Sequence, residues 1–462
     1  MRIDRKRALR IGGRAAGFVA AAALAVATVA AAALVPWPEH RAEAPSVLVQ
    51  PAESRQQRVC PGPILTLGED AAAATTASSV GAARGTCSAE DGSPVAIAAE
   101  PGGVDAGMLS GAQSQGVSSE TLAGFAAAAC GEAVADAWLV AGATTLGRSG
   151  LVLLSNPTAV AATVDVRVTG EAGPVEAPSA LGIIVPPGTQ RVLSLAGLAP
   201  NLTSPVVHVT STGGTIAASL ETSVVVGLAP AGVELTGVTA APATTQVIPG
   251  FVVPEGGGIE ASEDHADGDD FPVVRLFAPG DDQVDVSIGI VPESGSGGST
   301  IDATLQPDSV IDVPLGVLDA GVYTVRIEAE APVLAAARAT VGGTDGQTDA
   351  SAPSDLAWTV ATAPLLDSAM IAVPPGPDPT LYLVNPGGSP AEVTVTEAGG
   401  GARTVSVPAA GAASVPLGAS SVMLGGAEGL HATVAFASGD ELAAFGVQPP
   451  GPLDSPISVY PD

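Results

Sequence analysis

Lysine is almost missing from this 462-residue chain: Lys6 is the only one. That absence removes several chemistries together. A phosphate-cradling Gly-rich loop needs its lysine, a pyridoxal phosphate enzyme needs a Schiff-base lysine, and Ser-x-x-Lys acylation needs one as well. Histidine is scarce too, with His40, His208, His265 and His431 making the full set. The chain contains no His-Glu-x-x-His, no Cys-x-x-Cys and no Gly-x-Ser-x-Gly, so the usual zinc-hydrolase, dithiol and nucleophile-elbow chemistries have no local signature. Aromatics amount to 3% of residues, a sparse supply of rings on which a sugar could stack. No long amphipathic helical pattern is present either. These absences leave no reaction to assign and predict a protein that is not an enzyme and holds no cofactor.

What is present starts at the N-terminus. Arg2, Arg5, Lys6, Arg7, Arg10 and Arg14 stand against one acid, Asp4, and precede an unbroken apolar run from Ala15 to Val35, closed by Pro36-Trp37-Pro38. A basic cap before an apolar run is an export element whose cap stays in the cytoplasm. Its length favours a retained single-pass anchor, since a signal-peptide core runs about 7–15 residues and a spanning helix needs roughly 17–25. The small residues Ala31-Ala32-Ala33 keep the alternative open, a cleaved signal and a secreted product. The charge changes sign across this run. Residues 1–14 carry a net +5, whereas the remaining 11 cations and 46 acids give −35. So acidic a surface repels nucleic acid and anionic membranes, and leaves the N-terminal helix as the membrane contact. Cys60, Cys87 and Cys130, in an oxidising compartment, allow one disulfide by any of three pairings. Cys60–Cys130 is favoured because it would staple the N-terminal segment to the first regular domain.

From Trp138 onward short β-branched strands end at Gly or Pro, and they recur three times. An apolar strand runs into a proline at Val152-Leu153-Leu154-Ser155-Asn156-Pro157, at Val274-Arg275-Leu276-Phe277-Ala278-Pro279 and at Leu381-Tyr382-Leu383-Val384-Asn385-Pro386. A turn and a Val/Leu strand follow at Val185-Pro186-Pro187-Gly188, Leu305-Gln306-Pro307-Asp308 and Val407-Pro408-Ala409-Ala410. The third landmark, a strand leading to paired alanines, is read at 206–218, 323–336 and 431–444. The Pro157, Pro279 and Pro386 landmarks lie 122 and 107 residues apart, the size of one β-sandwich and not of a solenoid repeat.

The predicted fold is therefore mainly β: tandem Ig-like antiparallel β-sandwich modules after an N-terminal transmembrane helix. The expected organisation is a basic tail at 1–14, an anchor or signal at 15–37 and a partly β segment at 38–137. Modules then follow at 138–245, 246–360 and 361–462. A short alanine-rich helix is expected within 119–134, capped by Ser118 or Ser119. The Gly-rich stretches 255–270 and 342–354 look like linkers between modules.

The best cation candidate is the acidic run containing Glu260, Glu263, Asp264, His265, Asp267, Asp269 and Asp270, since calcium takes six to eight oxygen ligands. Its spacing does not follow the EF-hand loop, and an unpatterned acidic run reads first as a solvated loop, so no metal site is assigned. His208 sits in a strand opposite its valine neighbours, where a solvent-facing residue is expected, and Arg326 takes the aligned place in the second repeat. His431 is read in the same way. Trp138 and Trp358 precede repeats and are expected to fill cores or seams.

The segment Trp138-Leu139-Val140-Ala141-Gly142-Ala143-Thr144-Thr145-Leu146-Gly147-Arg148 runs into the Asn156-Pro157 strand. With Val59-Cys60-Pro61-Gly62-Pro63 upstream and Val207-His208-Val209 before Gly213-Gly214 downstream, it resembles domain-of-unknown-function family 5719. The resemblance spans roughly residues 45–460 and is densest between Cys130 and Val238. It implies an exported, N-terminally anchored actinobacterial envelope protein, with a gene neighbourhood that points towards envelope glycans, and it supplies no catalytic residue. The expected function is a non-enzymatic, membrane-anchored scaffold or interaction module for an envelope protein or glycan. The alternative is a carbohydrate-related accessory, either a glycan-binding module or an atypical hydrolase using loop carboxylates.

Overall fold

The computed structural model describes residues 56–67, 96–99, 109–255, 272–293, 297–341, 355–418 and 420–449, with short strands at 47–49, 74–76, 81–83 and 457–459. The chain divides into two compact units, residues 1–52 with 454–462, and residues 53–453. In the first, Val47–Val49 pairs antiparallel with Ile457–Val459. The second holds the other strands. The segment 15–37 lies outside the described residues, and among the described residues no helix is long and apolar enough to cross a membrane.

Alternation of apolar and polar residues builds the sheets. In Ala162–Gly170, Ala162, Val164, Val166 and Val168 are buried, while Thr163 and Arg167 face out, the period-two pattern of a strand with one face on a core. This strand lies in a sheet ordered Asp136–Val140, Val206–Thr212, Ala162–Gly170, Gly173–Val175, with Ile183–Val185 also on the third strand. Its companion sheet runs Thr189–Ser194, Arg148–Asn156, Ala217–Val226, Ala229–Thr236. Leu139, Leu154, Val164, Val207 and Leu220 fill the space between the two sheets. Each such side chain contributes roughly 1.5–3 kcal/mol by leaving water.

Two further sheet pairs repeat this strand order. In one, Ser368–Val373, Ser420–Gly425, Ala391–Glu397 and Ala402–Val407 face Ala412–Pro416, Thr380–Val384, His431–Ser438 and Glu441–Gly446. In the middle pair, Ala243–Val253, Val284–Pro292 and Ser299–Leu305 form the first sheet, and Val310–Pro314, Val273–Phe277 and Asp355–Val360 the second. Gly321–Val341 belongs to both sheets of the middle pair. Residues up to Ala329 pair with Val284–Pro292, and Leu334 onward pair with Val273–Phe277. The strand changes sheet at Ala331-Pro332, where proline offers no ladder N–H. Along the same path the other two pairs turn at Gly213-Gly214 and between Gly426 and Gly429, and split it into two strands.

The three turns of the second landmark share one backbone feature: Gly188, Asp308 and Ala410 each take a left-handed φ, 65°, 52° and 49°. In the first and third pairs an asparagine holds the neighbouring loop to that turn. Asn156 Nδ2 donates to the Val160 and Val185 carbonyls at 2.8 and 2.9 Å, and its Oδ1 accepts from Thr158 N at 2.9 Å. Asn385 repeats the arrangement on Ser389, Val407 and Gly387. The middle pair has Ala278 there. Both asparagines are buried, so Asn156→Ala and Asn385→Ala are each expected to cost about 1–3 kcal/mol, by stranding the buried Val185 and Val407 carbonyls and losing the loop bonds, read as a lower urea midpoint at unchanged slope.

Several sequence expectations change. The helix expected within 119–134 is a hairpin arm: Ala123–Ala129 pairs antiparallel with Ala112–Ser118, and Ser119 accepts at the turn from Leu122 N. Alanine's helix preference yields to tertiary packing. This arm lies against Ala229–Thr236 and Glu441–Gly446, and a side chain at Gly124 would strike Asp355 and the Val233 backbone, so that position admits only glycine. The stretches 255–270 and 342–354 do not join modules. Each falls between two strands of the middle pair, 255–270 between Ala243–Val253 and Val273–Phe277, and 342–354 before Asp355–Val360. The joints themselves are short and bonded. Thr239 N donates to Trp138 O, Ala240 N to Ala361 O and Thr362 N to Val247 O. The third repeat's last landmark shifts by one strand, because His431 lies opposite Val384 where Ala217 lies opposite Ser155.

Two polar nodes join the sheet pairs. Arg275, wholly buried, uses all five N–H groups: Nε and one Nη2 hydrogen on Asp312 at 2.8 and 2.9 Å, the others on the carbonyls of Gly142, Pro205 and Thr203 at 2.7–3.0 Å. Its guanidinium also lies 4.5 Å above the Trp358 ring. The ion pair with Arg275 holds the Asp312 carboxyl below its ordinary range against the opposing pull of burial. Asp355, also wholly buried, accepts from Phe125 N and Leu442 N on Oδ2 at 2.9 and 3.0 Å, and from Leu356 N and Val233 N on Oδ1 at 3.0 and 3.4 Å. Beside it Glu234 is fully buried, and burial together with the Asp355 charge raises its carboxyl far above the ordinary value. Arg275→Met is expected to cost about 3–5 kcal/mol by removing the charged partner of Asp312 and stranding the carbonyls of Gly142 and Pro205, and adding Asp312→Leu to recover part of it. Equal losses in the single and double variants would deny the ion pair that role.

Candidate functional site

The sequence Cys60-Pro61-Gly62-Pro63 cannot join a regular ladder, because two of its residues lack an N–H. Side chains take over the pairing. Gln113 and Gln115, neighbours on one face of Ala112–Ser118, accept from Gly62 N and Ile64 N at 3.0 and 2.9 Å and return their amide hydrogens to Gly62 O. Leu65 N reaches both oxygens of Glu221 at 3.0 and 3.1 Å, and Gln190 Nε2 donates to Pro61 O at 2.8 Å. The Cys60–Cys130 disulfide closes this segment, so of the three pairings open in the sequence this one forms; Cys87 lies outside the described residues. The buried rows of Gln and Glu were missed in the sequence, although isolated polar residues inside apolar strands (Gln113, Gln115, Glu221) were their visible sign.

The held segment walls a cleft of about 280 Å³ where it meets all three sheet pairs. Ala217, Ala218, Trp358, Val360, Ile371, Phe445 and Val447 supply apolar lining. Arg58, Glu132, Asp136, Ser219, Thr236 and Gln448 supply the polar groups. Arg58 projects from Gln56–Val59, a strand paired with Gly131–Glu132. Its side chain is 8% exposed and stands 3.9 Å from Glu132, too far for a hydrogen bond, and its Nε has no partner. Burial lowers the guanidinium's proton affinity and Glu132 offsets part of that. Asp136, at the rim, bonds His208 Nε2 at 2.9 Å, and the imidazole stacks on Trp138 with ring centres 3.7 Å apart.

His208, expected to face solvent, is partly exposed and is engaged by two side chains. His431 is not solvent-facing. It is buried at a strand start with Nδ1 donating to Thr362 O at 2.7 Å, which denies that nitrogen the role of base towards the Thr362 hydroxyl nearby. Burial and the Arg326 charge keep this imidazole below its ordinary value. Trp358 is buried in the seam between the first and middle pairs, and Trp138 lies 5.7 Å from Phe277 of the middle pair. The acidic candidates Glu260, Glu263, Asp264, Asp267, Asp269 and Asp270, with His265, lie outside the described residues. Among the described residues no group of three His, Cys, Asp or Glu is placed to hold a metal ion.

Glu221, on which the Leu65 contact rests, has its carboxyl pushed up from 4.5 to about 8 by burial, against the pull of the Leu65 N–H. The unfolded chain releases this proton near 4.5 and the fold only near 8, so between those values the fold holds the extra proton and loses stability as pH rises. Glu221→Gln keeps an acceptor for Leu65 and removes the titration. Its unfolding midpoint is expected to gain on the parent between about pH 5 and pH 8; parallel profiles would refute the linkage.

No characterised protein matches the sequence closely. A family model described as "Family of unknown function (DUF5719)" matches residues 82–418. Among solved structures, "Crystal Structure of Thermotoga maritima 1070" is similar at 16% identity, covering 26% of this chain and 93% of its own, with a TM-score of 0.20. A Bacteroides uniformis β-glucuronidase 2, solved covalently bound to cyclophellitol-6-carboxylate aziridine, is similar at 10% identity over 67% of this chain and 32% of its own, with a TM-score of 0.11. Both scores fall below the level at which shared shape carries an argument.

Proposed function

The chain belongs to this family of unknown function, and from that premise we propose that it is a non-enzymatic scaffold of the cell envelope. In this reading the N-terminal basic and apolar segment tethers it, and the β-sheet body outside the membrane presents surfaces to an envelope protein or glycan. The observation that carries the reading is the joining of the three sheet pairs. Asp355 ties the N-terminal hairpin and all three pairs at one carboxylate, and Arg275 locks the first pair to the middle one. A body braced this way holds surfaces at fixed separations, which suits display better than a flexible string would. The Cys60–Cys130 disulfide agrees with an oxidising compartment outside the cytoplasm. The acidic, nearly lysine-free composition argues against nucleic acid as partner.

The test uses the full-length protein in its own membranes. Cross-linking followed by mass spectrometry is expected to return reproducible envelope partners, and fractionation to place the chain with the membrane. Incubation of the purified protein with cell-wall glycans is expected to leave them intact. Turnover of those glycans would overturn the non-enzymatic reading, and recovery of the intact chain from the cytosol would overturn its location.

A further inference from the structure

The cleft beneath the Cys60–Cys130 disulfide has a feature the scaffold reading does not use. Arg58 carries a full positive charge into a largely apolar space, yet its guanidinium makes no hydrogen bond among the described residues, and its Nε is buried without a partner. A buried guanidinium elsewhere in the same fold, Arg275, satisfies all five of its N–H groups. Thr236 Oγ1, also on the cleft, is buried with no partner. Leaving such groups unpaired is unfavourable, more so for a charged one, and the loss is recovered when a ligand supplies acceptors.

We propose that this cleft binds an amphiphile with a carboxylate head and a slender aliphatic body, the head on Arg58 and the chain along Trp358, Val360 and Ile371. The planar guanidinium matches a carboxylate in a two-bond fork. The acid Glu132, 3.9 Å away, and the rim acid Asp136 penalise a doubly charged phosphate more than a singly charged carboxylate. The volume sets the size. About 280 Å³ is a little under twice the ~150 Å³ cavity that takes a benzene ring, enough for a chain of about ten carbons and too little for a diacyl lipid. The site goes beyond the scaffold reading and does not depend on it, since a scaffold with an empty cleft would still find its partners.

The probe is decanoate, with decanol and decylammonium as controls, titrated into the full-length protein while following tryptophan emission and the heat of binding. Saturable binding of decanoate is expected, with decanol weaker and decylammonium weaker still. Arg58→Met, which removes the charge and keeps most of the side chain's length, is expected to weaken decanoate by at least about tenfold (~1.4 kcal/mol) and leave decanol unchanged. Arg58→Lys is expected to fall between, a single point charge in place of the fork. Ala363→Trp, at a partly exposed position on the cleft wall, is expected to abolish binding of all three, and it tests the location even should an Arg58 variant fold poorly. Absence of saturable decanoate binding at millimolar concentration would overturn the proposal, as would equal binding of decanoate by the parent and a folded Arg58→Met.

Discussion

Four backbone N–H groups meeting one buried carboxylate hold this fold together. Phe125, Val233, Leu356 and Leu442 come from the N-terminal hairpin and from three successive sheet pairs, and each points its N–H at Asp355. The strands involved occupy equivalent places. Ala229–Thr236, Asp355–Val360 and Glu441–Gly446 are each the last strand on the outer margin of their sheet. Unpaired margins of this kind invite pairing with other chains. Here they turn towards one another and towards an arm made almost wholly of alanine. The carboxylate satisfies the donors that this convergence would otherwise strand, and the alanines let the backbones come close enough for it to do so. Packing, polar satisfaction and protection of the margins are met by one arrangement.

A second constraint follows from composition. With aromatics at 3% and valine, alanine and leucine as the main apolar residues, the cores are made of many small contributions, and few rings stitch them together. Phe125, Phe436 and Phe445 pack in a tilted chain across one seam, and Trp358 serves the other under Arg275. Where few large side chains bridge the pairs, buried hydrogen bonds and ion pairs fix their arrangement. Arg275, Asp312 and Asp355 all lie in such places. Buried polar groups of this sort specify one arrangement among several that an apolar seam would allow.

The strands were the legible part of the sequence, since period-two alternation and the Asn-Pro landmarks depend only on neighbours along the chain. Leu151 to Asn156, Val164 to Val168 and Leu381 to Val384 could be read this way. What could not be read depends on distant partners. Ala123–Ala129 looks helical by itself and becomes a strand because three margins need a thin cover. The 255–270 stretch has the composition of a linker, and only pairing partners reveal that the strand before it already belongs to the middle pair. Arg58 carried no local signal, and its place in a cleft depends on Glu132, Cys130 and strands more than 150 residues away. The histidines show the same limit: His208 and His431 have similar strand settings in sequence but differ in burial by what packs over them.

The strand Gly321–Val341 has a mechanical meaning. Because it serves both sheets of the middle pair without interruption, the two sheets there cannot slide apart unless hydrogen-bonded ladders on both sides fail together. The flanking pairs carry glycine turns at the matching point and have no such tie. Tension applied along the chain would therefore meet its stiffest element at the centre, with the outer pairs yielding first. Under load the body would then lengthen from its ends while the middle kept its shape.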